Sequence, residues 1–294
     1  MVHLLWYNFA INVKEKDMIC DLHTHTNHSD GSISTDELVR LAKEKNLIIA
    51  LTDHNTVTGL PSFMAEAERL GVTAVGGTEL TTEYAGREFH LIGLFIDPEY
   101  YDDVENLCQN LLRRKEMCNR DLVDKLRALG YNIDYDEIKK RNLKGNANRA
   151  HIAAELVERG LVPTVREAFA NLLDEECGLY KPCGRLKLCD AIDFLRSIHA
   201  VPVLAHPLKD ISPDELREML PELISHGLVA IETMHSSYSD ETIGISKEIA
   251  RDFDLLESGG SDFHGFVKPG VTLGVGRGNL NIGEEYYRAL LERK

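Results

Sequence analysis

Histidines and carboxylates in this chain recur in pairs and at the ends of apolar runs. The first set lies in Asp21-Leu-His-Thr-His-Thr-Asn-His-Ser-Asp30, closed by Gly31 and preceded by Met18-Ile19-Cys20. The stretch reads as a buried strand entering a loop. Side chains at i and i+2 of a strand share a face, so His23 and His25 project into one volume and form half of a metal site. Asp30 follows at the loop tip, held by Ser-Asp-Gly turn chemistry. Five further positions repeat the theme: His54 in Thr52-Asp53-His54, Glu79 after Gly76-Gly77-Thr78, His90 in the run Glu88 to Ile96, His206 after Val201 to Ala205, and the i, i+2 pair Asp262 and His264. His28 is out of phase with His23 and His25 and reads as a loop residue, and His3, His199 and His226 read as structural.

Six imidazoles and three carboxylates exceed what one four-coordinate ion needs. They suit two or three divalent ions with mixed nitrogen and oxygen ligands and one bridging carboxylate. Mn, Fe or Zn fits this set better than Mg, which prefers all-oxygen shells. Two ions about 3.5–4 Å apart can bind a hydroxide nucleophile and grip phosphoryl oxygens. Hydrolysis of a phosphate ester is the reaction these residues match.

The elements that must position them follow from periodicity. Thr35 to Glu44 is a capped amphipathic helix with Leu38, Leu41 and Ala42 on its apolar stripe. Leu47-Ile48-Ile49-Ala50-Leu51 is a continuous apolar run, the mark of a strand buried on both faces. A helix over Leu60 to Leu70, a strand over Val72 to Val75 and a strand through His90 follow, which predicts parallel α/β architecture. Residues 98–188 break the pattern with charged, helix-rich segments and read as a helical insertion over the C-terminal rim of the strands, a cap for the substrate. Strand–helix alternation resumes from residue 189: strands over Val201 to Ala205, Val229 to Glu232 and Leu255-Leu256, and helices over Asp190 to His199, Asp214 to His226 and Ser239 to Phe253. The expected domains are an extension over 1–17, a barrel over 18–97 and 189–294, and the insertion.

The chain has 294 residues, 43% hydrophobic and 28% charged, with a net charge of −15. Those are the proportions of a soluble globular protein, and the acidic balance argues against a large nucleic-acid surface, which needs a basic patch. The six cysteines (20, 108, 118, 177, 183, 189) lack metal-module spacing and read mostly as buried or inert thiols of a cytoplasmic protein. The apolar run Val2 to Val13 is too short to span a membrane. No membrane partner is expected, and the oligomeric state is not legible.

The motifs resemble the PHP (polymerase and histidinol phosphatase) domain family. They are Asp-x-His-x-His-Thr-x-x-Ser-Asp-Gly (Asp21 to Gly31), Thr-Asp-His (Thr52 to His54), a strand-end Glu79, a downstream His90, Ala-His-Pro (Ala205 to Pro207) and Ser-Asp-x-His (Ser261 to His264). The resemblance implies a distorted (β/α)7 barrel with up to three metals. It implies one site from His23, His25, Glu79 and Asp262, a second from Glu79, His90 and His206, and a third from Asp30, His54 and His264. Asn148-Arg149-Ala150-His151-Ile152-Ala153 is similar to a stretch in a subgroup acting on nucleotides and related small phosphoesters. It implies that Arg149 and His151 hold a substrate phosphate; the alternative for both is a helix-capping or salt-bridge role. Three positions depart from relatives: Asp30 where many members have histidine, Asn55 where the subgroup usually carries Asp, and Tyr238 near a turn that often holds a second histidine. The expected function is a metal-dependent phosphoesterase for a small phosphorylated molecule, most simply a nucleoside monophosphate or 3′,5′-bisphosphate, with Asp262 and His206 as catalytic residues. The alternatives are a phosphodiesterase on a cyclic phosphate, a 5′-3′ exonuclease on short RNA, and a non-catalytic metal-binding module.

Overall fold

The computed structural model describes residues 18–141, 147–181 and 184–294. The extension expected over 1–17 lies outside them. The strands are β1 (Ile19–Asp21), β2 (Leu47–Leu51), β3 (Ala74–Tyr84), β4 (Arg87–Leu94), β5 (Val201–Leu204), β6 (Ala230–His235) and β7 (Leu256–Gly260). They form one seven-stranded sheet in sequential order. The sheet closes on itself because Leu22 N–H donates to Gly259 O (3.1 Å) and Asp262 N–H donates to His23 O (2.9 Å), joining the end of β1 to the end of β7. The fold is a nearly closed, distorted α/β barrel with helical elaboration.

One strand departs from the parallel pattern. β4 runs antiparallel to both β3 and β5. Its cause is the two-residue turn Ala85-Gly86, where φ is 49° and 80°. Two positive φ values match the right-handed twist of a hairpin, so the chain doubles back instead of crossing over through a helix. Glu79 consequently lies within a long β3, not at a strand end. Thr81 is in register with His90. Glu79 sits two residues before Thr81 on the same face, so the Glu79 and His90 side chains meet on one diagonal.

The helices are α1 (Thr35–Lys45), α2 (Leu60–Leu70), α3 (Tyr101–Ala128), α4 (Tyr135–Arg141), α5 (Arg149–Glu158), α6 (Val165–Ala168), α7 (Leu188–Ser197), α8 (Pro213–Ser225), α9 (Asp240–Asp252) and α10 (Glu284–Leu291). Strand alternation divides the core. On β2, Ile49 and Leu51 pack with Leu38 of α1 and Phe63 of α2, while Ile48 and Ala50 pack with Leu22, Ile92, Val203 and Ala230 inside the barrel. A third apolar cluster joins Leu122 and Leu126 of α3 to Ile152 and Leu156 of α5, Leu173 and Tyr180. α3 serves both bodies, since Val104 and Cys108 in its first half pack with the barrel's helical layer. Among the described residues no helix is long and apolar enough to cross a membrane. Cys20, Cys108, Cys177 and Cys189 are free thiols, whereas Cys118 is disulfide-bonded.

The closure seam leaves no room at Gly260. A Cβ there would lie 2.8 Å from His23 Cα and closer still to His23 N, well inside contact distance. Gly260→Ala is expected to destabilise the chain by about 1–3 kcal/mol, the usual range for overpacking. Urea unfolding checks it, and an unchanged midpoint would contradict the seam.

Candidate metal centre

The residues that could do chemistry converge at the strand C-terminal ends and the adjoining face of the β3–β4 hairpin. The loop after β1 is tied down first. Asp53 accepts from Thr26 N–H (2.8 Å) and from the hydroxyls of Thr26 (2.6 Å) and Ser29 (2.5 Å). Asp21 accepts from Ser261 N–H (2.8 Å), the Ser261 hydroxyl (2.5 Å) and Gly274 N–H (2.8 Å). These two buried carboxylates link β1 to the segments that carry His54 and Asp262. Asn55 has φ 51°; its amide donates to Thr81 Oγ1 and accepts from Thr81 N–H, each at 2.9 Å. The two bonds tie the turn after β2 to β3.

Glu79 is the hub. Its Oε2 lies 3.1 Å from His23 Nε2, 3.2 Å from His25 Nε2 and 3.0 Å from His54 Nδ1. Its Oε1 lies 2.8 Å from His90 Nδ1 and 3.2 Å from His206 Nε2. Asp262 Oδ1 faces His25 Nε2 at 3.4 Å and His264 Nδ1 at 3.3 Å. Asp30 Oδ1 lies 3.1 Å from His264 Nε2, and Asp30 Oδ2 lies 3.8 Å from His54 Nε2. Four overlapping groups result, each with ligand atoms within 4.8 Å of one another: His25, Asp30, His54 and His264; His23, Glu79 and His206; His23, His25 and Asp262; and His54, Glu79 and His90. All nine residues singled out from the sequence are therefore in one place. The grouping differs in detail from the three sets the resemblance implies, because His25 faces the Asp30 group through its second nitrogen and His54 also faces Glu79.

Four buried atoms test whether cations fit. His23 Nε2, both ring nitrogens of His25 and Glu79 Oε2 have no hydrogen-bond partner. Each such atom costs about 1–3 kcal/mol when buried unsatisfied. His23 Nε2 and His25 Nε2 meet at Glu79 Oε2 (3.1 and 3.2 Å) and His25 Nδ1 faces Asp30 (3.9 Å), and nitrogen and carboxylate donors suit first-row divalent ions. Overlapping donor sets of this kind make a multi-metal site for two to three ions.

The electrostatics agree. Burial alone would pull the His23 imidazole down, but the carboxylates of Glu232, Glu79 and Asp262 outweigh it and hold it well above its ordinary range. His25 is raised against burial by Asp262 and Glu79. Burial pushes His54 down to about 4, with Glu79 opposing. His90 is raised to about 9, since Glu79 and Glu88 overcome burial. Burial would raise the carboxyls of Glu79 and Asp262, yet the surrounding imidazoles hold both well below the ordinary carboxylate range.

Three site residues escape sequence reasoning. Glu232, fully buried at the end of an apolar run, contacts His23 Nδ1 at 3.0 Å. Lys268 Nζ donates to Asp262 Oδ2 at 2.6 Å, and His235 Nε2 lies 3.3 Å from the same oxygen. The only available signals are an acid inside a β-strand run, a strand-end histidine and a lysine shortly after Ser261-Asp-Phe-His264. Tyr238 accepts from Leu208 N–H (2.8 Å), which ties the turn after His206 to β6. Arg149 and His151 are engaged within the insertion. The Arg149 guanidinium lies 4.2 Å over the Tyr180 ring and donates to Leu173 O (3.1 Å). His151 forms a capping box with Asn148.

The comparisons with known proteins follow the same direction. The family model described as PHP domain matches residues 21–160. A 5′-3′ exoribonuclease of Haemophilus influenzae is 27% identical over 271 residues, covering 90% of this chain and 98% of that protein. A phosphoribosyl 1,2-cyclic phosphate 1,2-diphosphodiesterase of Eggerthella lenta is 30% identical over 256 residues, covering 84% and 95%. A 3′,5′-nucleoside bisphosphate phosphatase of Chromobacterium violaceum is 27% identical over 260 residues, covering 86% and 90%.

Metal ligands must be deprotonated, so cations compete with protons for the imidazoles and carboxylates of the cluster. Calorimetric titration of chelator-treated protein with Zn or Mn, run at pH 7 in two buffers of different ionisation enthalpy, is expected to show net proton release, with affinity falling as pH is lowered. A proton count of zero would contradict the site.

Proposed function

The chain belongs to the PHP domain family, and from that premise we propose that this metal-dependent hydrolase is a phosphoesterase for a ribose-based phosphate, a nucleoside monophosphate or 3′,5′-bisphosphate first. The observation that carries the reading is the convergence of partnerless buried ligand atoms on Glu79. The relatives support the substrate class, since the activities of all three share a phosphate ester on a ribose unit.

In this reading His23, His25, Glu79 and Asp262 would hold one ion, Glu79 with His90 and His206 would hold a second, and Asp30, His54 and His264 a third. Such ions, as Mn, Fe or Zn, supply charge neutralisation at phosphorus and an activated water. Asp262 and His206 are the proposed catalytic residues. Asp262 presents Oδ1 to the imidazoles and Oδ2 to His235 and Lys268, so the proposed ligand is linked to two groups able to carry the proton that the leaving oxygen needs. Residues 18–97 and 189–294 act as the barrel and 98–188 as a cap. The apolar cluster of the insertion supports that division. Arg149 and His151 are the proposed contacts to substrate from the cap, and Arg149 would exchange its bond to Leu173 O for a phosphate oxygen. A cytoplasmic setting is part of the proposal; the four free thiols favour it and the Cys118 disulfide opposes it.

A second reading is cleavage of a diester, either a cyclic phosphate or the 5′ end of short RNA. It is favoured by the 30% identity to the cyclic-phosphate enzyme. A panel of AMP, adenosine 3′,5′-bisphosphate, a ribose cyclic phosphate and a 5′-phosphorylated dinucleotide separates the two with the Mn-reconstituted protein. Phosphate release from the first two substrates supports the leading reading, and release only from the last two replaces it.

Asp262→Asn is expected to leave the fold intact by circular dichroism and to lower kcat at least a hundredfold. Near-wild-type turnover would contradict the ligand assignment. Arg149→Met is expected to raise KM more than it lowers kcat, which steady-state kinetics checks.

A further inference from the structure

Glu232 on β6 is completely buried and has two partners of different kinds. Its Oε1 lies 3.0 Å from His23 Nδ1. Its Oε2 accepts from the backbone N–H of His206 at 2.7 Å. His206 sits at φ 33°, ψ 48°, a left-handed conformation that a residue with a side chain adopts at a cost. One carboxylate thus holds the ring of one proposed ligand and the backbone of another, just beyond the ends of two different strands. α9 steadies the strand beneath it, because the Ser246 hydroxyl donates to Glu232 O (3.2 Å).

An ionised carboxylate can only accept, so His23 Nδ1 must carry the proton. The lone pair of a neutral ring then resides on Nε2, the nitrogen that faces Glu79 Oε2 at 3.1 Å and has no hydrogen-bond partner. We propose that Glu232 is the positioning residue of the centre: it selects the metal-binding tautomer of His23 and seats His206 in its strained conformation. This rests on the metal-centre reading above.

The isosteric amide makes the proposal testable. The His206 N–H always donates, so a glutamine at 232 must present its oxygen there. Its NH2 group then faces His23 Nδ1, which must accept. The ring proton moves to Nε2 and caps the atom that faces the cation. Every hydrogen bond is satisfied in this arrangement, so the metal-free variant should fold.

The experiment uses the full chain. Glu232→Gln is compared with wild type by circular dichroism and thermal unfolding after chelation, then by calorimetric titration with Zn. Expected are an unchanged fold and a 10- to 100-fold loss of affinity, the range found when a carboxylate behind a ligating histidine is removed. Histidine 15N spectra supply a reading independent of activity. In the Zn-loaded wild type the His23 proton should be on Nδ1, and in the chelated variant on Nε2. A folded variant that binds Zn within twofold of wild type overturns the proposal, as does a bare Nδ1 in the Zn-loaded wild type. If the variant does not fold, the wild-type spectrum alone decides. A wild type that binds no metal overturns the metal-centre reading itself, whereas a wild type that binds and a variant that binds equally overturns only the role of Glu232.

Discussion

A single buried carboxylate, Glu79, is faced by five imidazoles, three on one oxygen and two on the other. In a dry interior an ionised carboxylate is costly unless charge and hydrogen bonds compensate it. Neutral imidazoles can donate hydrogen bonds to it, but they supply net charge only by taking up protons, which burial opposes, or by sharing cations with it. The second arrangement also satisfies His23 Nε2 and one ring nitrogen of His25, which otherwise have no partner. Much of the barrel serves to bring these groups within reach of Glu79. β1 contributes through the loop after Asp21, β2 through Thr52 to His54, β4 through His90, β5 through His206 and β7 through Asp262.

The same requirement explains where the backbone is strained. Asn55, His206 and Asp262 all have positive φ, at 51°, 33° and 55°. None is glycine, and each lies just beyond a strand end at the centre. Such conformations persist only where surrounding bonds over-determine them. Asn55 is locked to Thr81, His206 N–H to Glu232, and Asp262 N–H to His23 O. The strain turns each side chain toward Glu79 or its neighbours, and the bonds that hold it come from a different strand.

The nine proposed ligands were legible because metal chemistry imposes residue type and spacing together. His23-x-His25 and Asp262-x-His264 follow strand periodicity, and His54 and His206 each end an apolar run. β2 was legible because five consecutive apolar residues require two covered faces. The direction of β4 was not, since an apolar run reports burial and says nothing of polarity; the Ala85-Gly86 turn decides it. α3 was harder to divide because one stripe serves the barrel at Val104 and the insertion at Leu122. Glu232, His235 and Lys268 were invisible as site residues. Each is one residue without a spacing partner, and its meaning arises from contacts 209, 27 and 6 positions away. The engagement of Arg149 by Tyr180 and Leu173 likewise depends on packing that its local motif does not encode.

The most direct test of this account is to count metal ions per chain in the same samples in which phosphate release is measured, before chelation, after chelation and after stepwise return of Mn. The account predicts two to three ions per chain, loss of turnover with their removal and recovery as they return. A chain that stays fully active with fewer than one ion bound would contradict it.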